Sequence, residues 1–138
     1  MFDKTDPDPV GFTFSVNGDQ DFTGGEVVPF TNERTNLGNH YDPSTSKFRC
    51  PFDGTYLFSV SVVSQPGKRM QAQIVKDGAI LVRANADDGP TDNIYNQGSA
   101  FVITECAVGQ MVWVRAYDTV YLRAGLASHF SGYMLERY

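Results

Sequence analysis

From Thr55 to Ser64 the chain alternates: Tyr56, Phe58, Val60 and Val62 fall on one side of an extended backbone, and Leu57, Ser59, Ser61 and Val63 on the other. A helix would scatter the four large residues around its axis, whereas a strand places them on one face that another layer must cover. The same period of two returns at Met70, Ala72 and Ile74 against Gln71, Gln73 and Val75, and at Val112, Val114 and Ala116 against Trp113, Arg115 and Tyr117. Asp77-Gly78 supplies the two φ > 0 residues of a tight hairpin, so the segment ending at Val75 and the run Ile80-Leu81-Val82 are expected to pair antiparallel. Val108-Gly109-Gln110 predicts a second hairpin, from Phe101-Val102-Ile103 into Met111-Val112-Trp113-Val114. The apolar run Phe130 to Leu135 predicts a last strand held inside a sheet. No window has the period of a long amphipathic helix, and short strands punctuated by turns predict a sandwich or jelly roll.

With 138 residues, 41% of them apolar, the chain is long enough for one self-sufficient core. The Asp/Pro-rich stretch before Val10 predicts a flexible tail over residues 1–9, with the domain over 10–138. The net charge of −5 and the scattered Lys and Arg residues offer no basic stripe for nucleic acid. No apolar run approaches the ~20 residues of a membrane span. Cys50 and Cys106 form neither a CxxC nor a metal-ligand spacing; two buried thiols are the simpler expectation and one intrachain disulfide the alternative.

From Phe30 onward, Asn36, Tyr41, Phe48 and Gly54-Thr55-Tyr56-Leu57-Phe58 resemble the signature of the complement C1q globular-head family. The texts Asn39-His40-Tyr41-Asp42-Pro43 and Lys47-Phe48-Arg49-Cys50-Pro51 resemble that family's hairpin region, and Phe130-Ser131-Gly132-Tyr133-Met134-Leu135 its last strand. Gly109-Gln110-Met111-Val112-Trp113-Val114 is similar to another of its strands, although an acidic residue is more usual at Gln110, and Val60 stands where an aromatic is usual. The resemblance implies an all-β jelly roll of ten strands, akin to tumour necrosis factor, assembled as a homotrimer and secreted. It also implies no catalysis, which agrees with the absence of a nucleophile motif around Ser131 or either histidine, His40 and His129.

The polar stretch from Ala84 to Asn96 carries three carboxylates and several amides, oxygen donors of the kind a hard cation takes. Some members of the resembled family bind calcium near the trimer axis; counting back from Trp113 puts their acidic positions on Asp88 and Asn96, so calcium is an expected cofactor here. Candidate ligand-binding residues are Arg34, Arg83, Tyr95, Tyr117 and Arg123, within a wider set that includes Arg49, Lys68, Arg69, Asp118 and Tyr121. Exposed Tyr and Arg side chains stack on sugar rings or pair with anions. The expected function is multivalent recognition of microbial surface molecules or glycans in innate immunity. The alternative is a trimeric signalling or adhesive ligand for a protein receptor.

Overall fold

The structure is a computed structural model and describes residues 8–86 and 96–138. Its strands in chain order are β1 (Gly11–Val16), β2 (Gln20–Phe22), β3 (Asn32–Leu37), β4 (Tyr41–Asp42), β5 (Lys47–Arg49), β6 (Gly54–Val63), β7 (Met70–Lys76), β8 (Ala79–Ala86), β9 (Gln97–Cys106), β10 (Met111–Ala116), β11 (Val120–Leu122) and β12 (Gly125–Arg137). One five-stranded sheet runs β3-β1-β12-β6-β9 and the other β4-β5-β10-β7-β8, and a small β11-β2 pair lies outside both. Every pairing is antiparallel, and partners in each sheet come from distant parts of the chain. This is the expected jelly roll, with ten strands in its two large sheets.

The core lies between the sheets and is built from the faces that alternation marks. Tyr56, Phe58, Val60 and Val62 of β6 are buried together, as are Met70, Ala72 and Ile74 of β7 and Val112, Val114 and Ala116 of β10. Phe12 sits at the centre, its ring centroid 4.8 Å from Tyr41 and 4.9 Å from both Phe48 and Phe130. Such offset and edge-on pairs add to the burial energy of the rings. The Tyr41 hydroxyl donates to the Phe30 carbonyl at 2.9 Å, and the Asn36 amide both donates to the Tyr41 carbonyl and accepts its N–H. The spaced residues Phe30, Asn36, Tyr41 and Phe48 are thus one aromatic layer with the amide that closes its turn.

The β7–β8 hairpin forms as expected, with Asp77 at φ 48° and Gly78 at φ 87°. β12, the expected last strand, is central in its sheet.

Two expectations are corrected. β9 and β10 do not form a hairpin: β9 pairs with β6, while β10 pairs with β5 and β7 in the other sheet. A tight turn at Val108-Gly109-Gln110 reverses the chain either way; here the Gly109 N–H bonds the Cys50 carbonyl and the Cys50 N–H bonds the Gln110 carbonyl, which steer the chain across to β5. The cysteines are not thiols. Cys50, just after β5, and Cys106, at the end of β9, are joined in a disulfide across a sequence separation of 56. The crossing that replaces the hairpin brings these two positions together.

Candidate functional site

The two sheets present outer faces of opposite character. On the first, the register lines up Leu37, Gly11, Tyr133, Leu57 and Ile103 as one row across β3, β1, β12, β6 and β9. The next row is Thr35, Thr13, Ser131, Ser59 and Phe101. Small hydroxyl residues between large apolar ones leave a shallow groove of about 250 Å³ lined by Thr35, Leu37, Leu57, Ser59 and Tyr133 among others. Phe101 is 69% exposed and Ile103 58%, and Leu37, Tyr133 and Leu135 are also exposed. Scattered surface apolar residues are ordinary; a continuous apolar row beside an exposed phenylalanine marks a contact surface.

The outer face of the second sheet is cationic and aromatic. Its central row is Arg115, Gln73 and Arg83, on β10, β7 and β8. The Gln73 side-chain oxygen, in a residue only 2% exposed, accepts from the Arg115 Nε at 3.2 Å and Nη2 at 2.9 Å. The Arg83 guanidinium lies 4.8 Å from the centroid of the Tyr117 ring. In the neighbouring row Lys47 lies next to Trp113, with its ammonium 4.2 Å from the ring centroid. Asp42, the cross-strand partner of Lys47, turns its carboxylate to Ser44, whose N–H and hydroxyl donate at 2.9 and 2.6 Å and hold the carboxyl below its usual range.

Of the expected ligand-binding residues the structure brings together Arg83 and Tyr117. Arg34 stands on β3, in the other sheet, and Arg123 lies at one end, where Val63, Asn96, Gln97 and Leu126 share a recess of about 370 Å³ with it. Tyr95 and Asp88 lie outside the described residues. The side-chain nitrogen of Asn96 is buried without a hydrogen-bond partner, while its backbone carbonyl accepts from the Ser64 N–H at 2.9 Å. Among the described residues no group of three His, Cys, Asp or Glu side chains could hold a metal.

Lys68 stacks over Tyr121, and Arg69 pairs with Asp118 at 2.8 Å. Arg49 projects beside Met111 on the cationic face. Alternation had already marked Leu57, Ser59, Trp113 and Arg115 as pointing away from the core; it could not say which strands stand beside them. The Ser131 hydroxyl bonds Thr13 at 2.7 Å and the His129 Nδ1 is 3.1 Å from the Leu126 carbonyl.

Two five-stranded antiparallel sheets, closed over an aromatic core and threaded so that sequential strands change sheet, define a jelly-roll domain. The C1q domain family model matches residues 12–135, and the chain belongs to the C1q domain family. It is 27% identical over 130 residues to Caprin-2 of Danio rerio and 28% identical over 129 residues to Multimerin-1 of Mus musculus, covering 88% and 90% of this chain. The chain spans only 14% and 10% of those two proteins. Among solved structures, the globular domain of zebrafish complement 1qA protein superposes with a TM-score of 0.76 at 15% identity, covering 94% of this chain and 99% of that one. Eiger TNF from S. frugiperda gives 0.73 at 13% identity, covering 96% of both chains.

Proposed function

We propose that the protein is a trimeric, extracellular recognition head that binds microbial surface molecules or glycans multivalently. The observation that carries the reading is the contrast between the outer faces. A continuous apolar row from Leu37 to Ile103, with Phe101 beside it, is a surface that water does not favour and a second and third copy would cover. The opposite face, rich in Arg, Tyr, Trp and amide groups, stays outward in such an assembly. Three weak identical sites held rigidly together gain avidity on a repetitive target without any new contact.

The Cys50–Cys106 disulfide supports placement outside the cytosol, because such bonds persist in oxidising compartments. No helix among the described residues is long and apolar enough to cross a membrane. C1q domains are binding rather than catalytic domains.

The test is sedimentation of the purified chain, followed by binding to a glycan and microbial-envelope array in calcium and again in chelator. A trimer that binds selectively supports the reading, and loss in chelator assigns calcium a part through Asp88 and Asn96. A trimer silent on the array, yet retained by a cell-surface protein receptor, replaces it with the signalling or adhesive alternative. A monomer overturns the assembly.

A further inference from the structure

Within the reading of a recognition head, we propose that the outer face of the second sheet is a binding site for acidic polysaccharides, carried by Arg83, Arg115 and Lys47. The argument begins with how each cation is held. Arg83 lies over Tyr117, Lys47 over Trp113, and Arg115 is held by the amide oxygen of nearly buried Gln73. All three partners are neutral. A cation fixed by a carboxylate has already spent its charge, whereas one fixed by a ring or an amide keeps that charge and has already lost part of its side-chain freedom.

Of the nearby carboxylates, one is paired with a cation and two accept from neutral donors and keep their charge. Asp42 accepts from Ser44, Asp77 accepts the Met111 N–H at 3.0 Å, and Asp118 pairs with Arg69. Among the described residues Arg69–Asp118 is the ion pair, and Lys47, Arg49, Arg83 and Arg115 outnumber the charged Asp42 and Asp77, which leaves the face net positive in a protein whose net charge is −5. A chain that is acidic as a whole and cationic on one face has a field directed at that face.

The spacing favours a polymer over a single small anion. Lys47 faces Trp113 and so lies diagonal to Arg115 on the neighbouring strand, and Arg115 and Arg83 are separated by β7 alone, so the positions that carry the cations lie about 7–8 and about 10 Å apart across the sheet. Tyr117 is 45% exposed, and it offers ring area beside a guanidinium, which suits a pyranose ring carrying a carboxylate. A repeating uronate lying across the strands would meet the cations in turn. An acidic peptide supplies the charge without the ring faces.

The experiment uses the full chain with polygalacturonate, with its fully methyl-esterified form, and with poly-L-glutamate, each at low and high salt. Binding to polygalacturonate that weakens with salt, is lost on esterification and exceeds binding to poly-L-glutamate is expected. Arg83→Gln and Arg115→Gln should each weaken it roughly tenfold, the worth of one charge-assisted contact, while Arg137→Gln on the other sheet makes the same charge change with little effect. Unchanged melting temperature and sedimentation show that the variants are folded and assembled; where Arg115→Gln fails that check, Arg83→Gln decides. Equal binding to poly-L-glutamate overturns the saccharide assignment, and equal loss with Arg137→Gln overturns the site. Silence toward polygalacturonate with selective binding elsewhere on the array sinks this inference and leaves the recognition reading standing, whereas silence throughout sinks both.

Discussion

Gly132 shows how closely single side chains are fitted in this core. A Cβ there would lie 2.5 Å from the Phe12 ring and 2.7 Å from that of Phe58, in the middle of the aromatic layer. Neither ring has room to withdraw, since Phe12 also packs on Tyr41, Phe48 and Phe130. Gly132→Ala should therefore destabilise by about 1–3 kcal/mol, read as a lower denaturation midpoint, although alanine is ordinarily the better strand former of the two. Tyr41 makes a different prediction. Burial holds its phenol far above the ordinary range, and burial raises Tyr56 too. The folded chain keeps both protons where the unfolded chain begins to lose them, near pH 10. The stability these groups contribute is complete below that pH and is lost as pH rises beyond it. The urea midpoint should fall from about pH 10 upward, and Tyr41→Phe should flatten part of that fall; an unchanged slope in the variant would refute the assignment.

At the scale of elements, the link between β5 and β9 is the informative one. β5 has three residues and lies toward the edge of its sheet, whereas β9 has ten and forms an edge of the other. The Cys50–Cys106 disulfide ties these edges together just where the chain crosses between the layers. Closing a loop of this length restricts the unfolded chain by about 4 kcal/mol in the chain-entropy account. Replacing both cysteines with alanine should lower the thermal midpoint markedly, and reductant should do the same to the natural chain and leave the double variant unaffected. Here alternation and turn residues located the strands well but misjudged one partner. Asp77-Gly78 and Val108-Gly109-Gln110 are both good reversal signals, yet only the first joins neighbours in a sheet. A turn dictates reversal over a few residues; whether the returning strand finds its partner in the same layer depends on which edges the rest of the fold leaves open.

Across the whole molecule the decisive property is asymmetry. One outer face is apolar along a row of five strands, and the other is cationic. Phe101 and Ile103 on β9 have no function in the core, since both point away from it. If the proposed trimer forms through this face, Phe101→Glu combined with Ile103→Glu should leave the monomer fold and its circular dichroism intact while sedimentation moves from trimer to monomer, because buried unpaired charges are costly at a contact. A variant that remains trimeric would place the assembly on another surface. Losing the trimer should also weaken array binding far more than a single site would, as avidity requires.

The sequence by itself determined the class and the layers. The period of two in β6, β7 and β10 named core residues correctly, and the spaced run Phe30, Asn36, Tyr41, Phe48 carried the family, because each of those positions answers to local geometry or to a single aromatic layer. It also offered Arg83 and Tyr117 among its candidate ligand-binding residues. What it could not state is that they touch, that Arg115 and Lys47 share their face, or that Cys50 meets Cys106. Those facts depend on which strands become neighbours, and β10 pairs with a strand some forty residues distant in the chain. Long-range register follows from the closure of the two sheets over a common core, and only the tertiary structure decides it.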